Sequence, residues 1–229
     1  MPNIAIASSG DSDYIKLLSE IGTVVHRNSD HLDLILFTGG EDVSPTLYGG
    51  TDNGYSSFNT YRDQFEKKVF LDCVKRNIKM VGICRGIQFL NVMAGGKMYQ
   101  HTVGHGGVRH TIKMLATNSV CEVICTHHQM IIPTSSVYII AQSAKPLSNL
   151  FIGPNCKEHS RPNMEVEAAI FPNINAFGVQ FHPEFQIAPR ESADLFVEMT
   201  TMFLHNDLET FIATYGRKAN EQRGQEASA

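Results

Sequence analysis

No basic excess marks this chain of 229 residues: 19 lysines and arginines stand against 23 acids, a formal net charge of −4. Phosphate backbones and anionic bilayers attract cationic patches, so neither nucleic acid nor a membrane surface is an expected partner. No apolar run approaches the roughly 20 residues that cross a bilayer. Met1 to Ala7 has no basic segment ahead of its few apolar residues and reads as a first strand, not as a signal peptide. Five cysteines without paired close spacing do not make a disulfide framework in a chain this long. That fits a reducing compartment, and the cytoplasm is the expected location. Internal repeats are also missing.

What the chain does have is 42% hydrophobic residues, enough to fill the core of one α/β domain. A single domain is expected over residues 1–210, followed by a polar tail over 211–229 that should be disordered. The first half alternates apolar runs with amphipathic stretches, the pattern of βαβ units and a mostly parallel sheet. Asn3 to Ala7 reads as a strand. Tyr14, Leu17, Leu18 and Ile21 recur at helical spacing and predict a helix over Asp11 to Ile21, stopped by Gly22. A short strand follows at Val24-Val25, and Leu32 to Phe37 is a nearly continuous apolar run, as in a central parallel strand. Glu41 to Asn59 is rich in Gly, Ser, Asn, Asp and Pro and forms a long loop, a frequent home of function. Phe65, Val69, Phe70 and Cys73 predict a helix over Arg62 to Arg76, and Lys79 to Ile83 is the next buried strand. Strand-like segments at Thr111 to Leu115, Val120 to Thr126, Val137 to Ala141, Val166 to Ile170 and Ala176 to Phe181 extend the sheet or form an antiparallel annex. Pro189 to Phe203 reads as a closing helix with Leu195, Phe196, Met199 and Phe203 on one stripe.

The sharpest local signal is Val81-Gly82-Ile83-Cys84-Arg85-Gly86-Ile87-Gln88, where a strand meets a cysteine and a helical pattern starts at once. Glycines two before and two after let the backbone turn sharply and let the helix pack close to the strand, as in the serine nucleophile elbow. The thiol then sits over a helix N-terminus, whose dipole and free N–H groups stabilise a thiolate. A buried cysteine among turn glycines would look the same locally. In Gly178-Val179-Gln180-Phe181-His182-Pro183-Glu184, His182 and Glu184 are two apart. At the end of an extended segment such side chains point the same way, so the carboxylate can orient the imidazole as a base. A strand-end histidine in a turn is the plainer alternative. Phe37-Thr38-Gly39-Gly40 is a strand running into paired glycines. There the N–H of Gly40, with that of Arg85, can meet a developing oxyanion, or the pair can serve only as a tight turn. His101, His105 and His110 tempt a metal reading, but thiol or carboxylate partners at ligand spacing are missing nearby, so no metal site is expected. Cys121 and Cys125 read as packed strand residues, and Gly153 to Pro162 as a surface loop.

Gly82 through Asn91 and Gly178 through Glu184 closely resemble the two signature blocks of class I glutamine amidotransferases. Gly39 to Gly49, Arg62 to Glu66, Gly95 to Gln100 and His127-His128-Gln129 look like the γ-glutamyl-γ-aminobutyrate hydrolase branch, the peptidase C26 family. The resemblance runs in collinear order from Leu32 to Phe203. It implies an α/β, flavodoxin-like fold: a central, mostly parallel sheet flanked by helices, with a small antiparallel annex. On matching positions it implies Cys84 as nucleophile, His182 as base and acid, Glu184 as orienter, and the backbone N–H groups of Gly40 and Arg85 as oxyanion donors. Gly39, Gln88, Thr126, His127, His128 and Gln129 would line the substrate site. The implied reaction is attack on a γ-carboxamide, release of an amine or ammonia, and hydrolysis of a γ-glutamyl thioester to glutamate, with no metal or organic cofactor.

Three functions stay open: a free-standing hydrolase of a γ-glutamyl conjugate, a glutaminase subunit that passes ammonia to a separate synthetase or ligase, and a non-catalytic binding protein on this fold. The implied partners are a small γ-glutamyl substrate and either such a synthetase or a second copy of the chain. The first two functions share their chemistry at the γ-carbonyl, so the leaving group separates them.

Overall fold

The computed structural model describes residues 1–8, 10–52 and 54–218. In chain order its elements are β1 (Asn3–Ile6), α1 (Ser12–Ser19), β2 (Thr23–Val24), β3 (Leu34–Phe37), α2 (Thr60–Arg76), β4 (Lys79–Ile83), α3 (Arg85–Met93), β5 (Lys97–Tyr99), β6 (His101–Thr102) and β7 (Gly106–Met114). They continue with β8 (Val120–Thr126), β9 (Met130–Ile132), β10 (Tyr138–Ser143), β11 (Phe151–Ile152), β12 (Val166–Phe171), β13 (Ala176–Val179), α4 (Arg190–His205), α5 (Leu208–Tyr215) and β14 (Arg217–Lys218).

One sheet runs in the order β2-β1-β3-β4-β13-β12-β10-β7-β8, with β14 paired to β10. From β2 to β13 all neighbours are parallel. The central strands β3 and β13 are buried throughout, as expected where helices cover both faces. From β13 onward the sheet continues antiparallel through β12, β10, β7 and β8. Strand alternation splits the core: Ile4, Leu34, Leu36, Val81 and Ile83 pack toward α1, α4 and α5, whereas Ala5, Ile35, Phe37 and Met80 pack toward α2 and α3. Asp11 caps α1 by accepting from the N–H groups of Asp13 and Tyr14. Among the described residues no helix is long and apolar enough to cross a membrane.

Two expectations change. In α2 the apolar spacing misplaces the inner face: Phe65 is 37% exposed, with the Arg27 guanidinium 5.0 Å over its ring, while Asp63, Glu66, Phe70 and Cys73 turn inward. Two acids on a buried face require a cation, and Arg85 supplies it. Its Nη2 is 2.5 Å from Asp63 and its Nη1 donates to Glu66. Removing one partner of such a pair costs about 3–5 kcal/mol, so these bonds tie α2 firmly to the first residue of α3.

The domain also does not end at residue 210. Leu208, Phe211, Ile212 and Tyr215 recur at helical spacing in α5, which Asp207 caps through the N–H of Thr210. Phe211 is fully buried against Phe177 and Phe203, with ring centroids 5.2 and 5.0 Å away. Burying one phenylalanine contributes roughly 1.5–3 kcal/mol, enough to hold this short helix on the sheet. The rest of the expected tail, 219–229, lies outside the described residues.

Candidate active site

The parallel strands β3, β4 and β13 end along one edge of the sheet, where open α/β folds bind ligands. β4 runs directly into Cys84, whose backbone sits at φ +53° and ψ −107°. A non-glycine residue there costs roughly 1–3 kcal/mol and persists only when its surroundings hold it. The Cys84 N–H donates to the Val179 carbonyl of β13 at 2.8 Å, one such restraint. Close helix packing needs glycine on both sides: a Cβ on Gly82 would fall 2.3 Å from the Gly86 carbonyl carbon. One on Gly86 would fall 2.0 Å from the Phe37 carbonyl oxygen. Because α3 begins at Arg85, its free N–H groups open toward the Cys84 turn.

Beyond β13 the chain carries His182, whose N–H donates to the Ile124 carbonyl at 2.9 Å. Its ring is fixed on three sides: Nδ1 lies 2.7 Å from Glu184 Oε1, Nε2 lies 2.8 Å from Thr126 Oγ1, and Phe185 stacks on it at 4.2 Å. A Cβ on Gly39 would meet His182 Cε1 at 2.9 Å and Cys84 Cβ at 3.5 Å, so imidazole and thiol flank the same turn. Burial by itself disfavours the imidazolium, but the charges and hydrogen bonds of Cys84 and Glu184 outweigh it and raise the His182 pKa to about 10. The imidazolium is therefore present at neutral pH and is lost as pH rises through that value. Between about 6.5, the unfolded value, and the raised one, the folded chain holds a proton that the unfolded chain releases, so the stabilisation from this pair fades with rising pH.

This pair gives a pH prediction. Activity should fall on the alkaline side with an apparent pKa near 10, and Glu184→Gln should move that limb to lower pH because one of the two groups holding the proton loses its charge. A kcat/KM profile for both proteins checks it; an unmoved limb would take Glu184 out of the role of orienter.

Around Gly39 and Gly40 two side chains do work that sequence spacing left unassigned. The Tyr14 hydroxyl of α1 accepts the Gly39 N–H at 3.0 Å. Burial and then the neighbouring Glu184 charge keep its phenol protonated. With Gly39 engaged, the next N–H, that of Gly40 at φ +133°, is the candidate oxyanion donor. Arg62 holds this turn from the other side: Nη2 donates to the carbonyls of Thr38 at 3.1 Å and Gly39 at 2.9 Å, while Nε and Nη1 bind Glu66 and Glu41 at 2.9 and 2.8 Å. Tyr14 had been read only as part of an apolar stripe, and nothing in its spacing marks the hydroxyl. Arg62 stands in one of the blocks that carried the family resemblance, which was the available signal. Phe185 directly follows Glu184 and carries no signal of its own.

Arg62→Lys keeps the charge but cannot span both carbonyls and both acids. It should lower kcat by on the order of 10²-fold, the scale of a 1 Å misplacement, and affect KM less. Steady-state kinetics decide; an unchanged kcat would mean that other contacts suffice to hold the turn.

Cys84, Gly39, Gly40, Gln88, Thr126, His127, His128 and His182 line one open cleft of about 810 Å³. Gln88 is held by the Gln129 carbonyl at 3.2 Å. One of the residues expected to line the cleft does not. Gln129 is fully buried with its amide on Ser56 Oγ at 2.8 Å, and the Arg85 side chain is spent on Asp63 and Glu66, leaving only its backbone. His128 turns to Asp42 at 3.0 Å, and His101 stacks under Tyr55 at 4.6 Å. Asn155 to Arg161 is exposed, and no residue of the Gly153 to Pro162 loop lines the cleft.

The histidine expectation needs a larger correction. The absence of nearby carboxylates and thiols holds along the chain but not in space. β8 and β12 bring Cys125 and Glu167 against His105, His110 and His127, and two triads that share Glu167 have donor atoms within 4.8 Å of one another. Cys125 is a packed residue of β8, as expected, and is one of these neighbours.

The sequence profile of the peptidase C26 family matches residues 15–184, a stretch that takes in Cys84, His182 and Glu184. Protein NtpR of Enterococcus hirae is 29% identical over 167 residues, covering 68% of this chain and 68% of its own. A Lactococcus lactis protein described as glutamine amidotransferase-like, YvdE, is 31% identical over 161 residues, or 67% of this chain and 66% of that one. Among solved structures, a glutamine amidotransferase from Thermotoga maritima matches over 100% of this chain and 86% of its own, with a TM-score of 0.53 at 14% identity, a likeness of fold.

Proposed function

The chain belongs to the peptidase C26 family, and from that premise we propose that it is a cysteine-dependent hydrolase of γ-glutamyl amides. The observation that carries the reading is the strained Cys84 turn flanked, across Gly39, by a His182 ring anchored 2.7 Å from Glu184. In this reading the Cys84 thiolate adds to the γ-carbonyl carbon, and the oxyanion is met by the N–H groups of Gly40 and Arg85. Each such donor is worth roughly 10²–10³ in kcat. His182 gives its proton to the departing amine as the C–N bond breaks, leaving a γ-glutamyl thioester. It then takes a proton from water, which attacks the thioester and releases glutamate and free thiolate. Glu184 keeps the ring in the orientation that serves both steps.

The cleft, at about 810 Å³, is within the range of small-molecule sites and leaves space beyond a glutamyl group for a leaving amine. Asp11, Glu41 and Asp42 line it together with Arg62 and His128, so polar leaving groups are favoured over apolar ones.

The test is glutamate release by the purified protein alone, from glutamine and from a panel of γ-glutamyl amines. Rapid release from one conjugate with glutamine poor supports a stand-alone hydrolase and names its amine. Release from none of them would sink this reading and favour a glutaminase subunit that needs its synthetase.

A further inference from the structure

Behind the wall of the cleft formed by Thr126 and His127 lies a polar group that the proposed chemistry leaves unused. His105, Cys125 and Glu167 are fully buried, and His127, Ser143 and Glu165 are nearly so. The hydrogen bonds around them can be counted atom by atom. His127 Nδ1 lies 2.9 Å from the Gln129 carbonyl. A carbonyl only accepts, so Nδ1 carries the ring proton and Nε2 is left as a lone pair with no hydrogen-bond partner. His105 Nε2 lies 3.1 Å from the Glu165 carboxylate, whose oxygens also accept from Leu147 and Ser148 N–H groups. His105 Nδ1 has no hydrogen-bond partner, the nearest Glu167 oxygen lying 3.6 Å away.

Glu167 meets these rings, its Oε1 held by His110 Nε2 and Ser143 Oγ, each at 2.9 Å. Its Oε1 is 3.6 Å from His105 Nδ1 and its Oε2 is 3.7 Å from Cys125 Sγ. The Cys125 thiol donates to Glu167 at 3.7 Å, but the buried His127 Nε2 lone pair beside them has no donor, an arrangement that costs stability unless something electrophilic sits there. The spacings allow such an occupant: the donor atoms of Cys125, His127 and Glu167 lie within 4.8 Å of one another, with Sγ and Oε2 3.7 Å apart. Zinc bonds of about 2.3 Å to sulfur and 2.0–2.1 Å to nitrogen or oxygen set tetrahedral donors roughly 3.3–3.6 Å apart. The outer contact agrees too, since ligating histidines usually give their other N–H to a carbonyl or carboxylate, as His127 does to Gln129.

We infer that this chain binds one divalent transition-metal ion of the zinc class through Cys125 Sγ, His127 Nε2 and the Glu167 carboxylate. Binding displaces the thiol proton of Cys125 to solvent and changes no oxidation state. The metal is structural. Cys125 and His127 flank Thr126, whose hydroxyl contacts His182 at 2.8 Å, so fixing this end of β8 fixes the wall on which the imidazole rests.

The test uses the full chain carrying Cys84→Ala, so that the candidate nucleophile contributes no thiolate and the result does not depend on the proposed hydrolase activity. The protein is stripped with a chelator, reloaded with Zn²⁺ or Co²⁺, and desalted. The expected result is about one metal per chain, a rise in thermal midpoint on Zn²⁺ addition, and the visible and thiolate-to-cobalt bands of tetrahedral Co²⁺. Adding the near-isosteric Cys125→Ser should remove the thiolate band, and adding Glu167→Gln should remove the thermal rise. Less than a tenth of an equivalent retained with no thermal shift, or a Co²⁺ spectrum unchanged by Cys125→Ser, would overturn the assignment and leave a hydrogen-bonded network in its place.

Discussion

Cys84→Ala is expected to abolish glutamate release, with a loss on the order of 10⁶ in kcat, the scale seen when a hydrolase loses its nucleophile. The comparison with Cys84→Gly makes the prediction structural as well as chemical. Both variants lack the thiol, but only glycine accepts φ +53° and ψ −107° without penalty. Relief of about 1–3 kcal/mol of backbone strain, offset by about 0.5–1 kcal/mol of added unfolded-state entropy, leaves Cys84→Gly more stable than Cys84→Ala by roughly 1 kcal/mol. In a chain of this size that raises the thermal midpoint by about 2–4 °C. A midpoint for Cys84→Gly below that of Cys84→Ala would show that the elbow is not strained, and residual turnover in either variant would move the nucleophile elsewhere.

Gly86→Ala should be the most damaging single methyl group in the fold. The new Cβ would lie 2.0 Å from the Phe37 carbonyl oxygen and 2.7 Å from its carbon, both backbone atoms of a strand buried on both faces. No side chain can swing aside there, so α3 or β3 must move, at a cost of 3 kcal/mol or more on the usual overpacking scale of about 1–3 kcal/mol. A drop of at least about 6 °C in thermal midpoint follows from that cost. Displacing the end of β3 also shifts Thr38 and Gly39, whose carbonyls Arg62 holds, so the protein that does fold should be nearly inactive. Gly106→Ala is the contrast, since its Cβ would meet nothing within 4 Å. Equal midpoints for the two variants would refute the close-packing account.

How much of this was readable in advance depended on whether the cause was local. The apolar runs at Leu34–Phe37 and Lys79–Ile83 are strands because their residues are buried on both faces, and that leaves a continuous hydrophobic signature in the chain itself. The Cys84 turn was readable for the same reason: the glycines its geometry requires lie within two residues of it. The approach of His182 to Glu184 follows from side-chain alternation over three residues. In α2, by contrast, the apolar pattern points to Phe65, while the buried face carries Asp63 and Glu66. Hydrophobicity cannot reveal buried acids whose cation, Arg85, lies 19 and 22 positions away. The helix at Leu208–Tyr215 did have a visible stripe in Leu208, Phe211, Ile212 and Tyr215, and its short length and polar surroundings hid it.

The residues alone determined the strands and helices from Asn3 to Ile83, the elbow at Cys84, and the pairing of a histidine with a carboxylate, because each is written within a few consecutive positions. Only the tertiary structure decided that the Gly39 N–H of the Gly39-Gly40 turn is engaged, since that depends on a tyrosine from α1. It likewise decided that His105, His127, Cys125 and Glu167 face one another, because strand pairing across β7, β10 and β12 brings together side chains separated by as many as 62 positions. Donor atoms converge through the register of a sheet, and no spacing along a chain records that register.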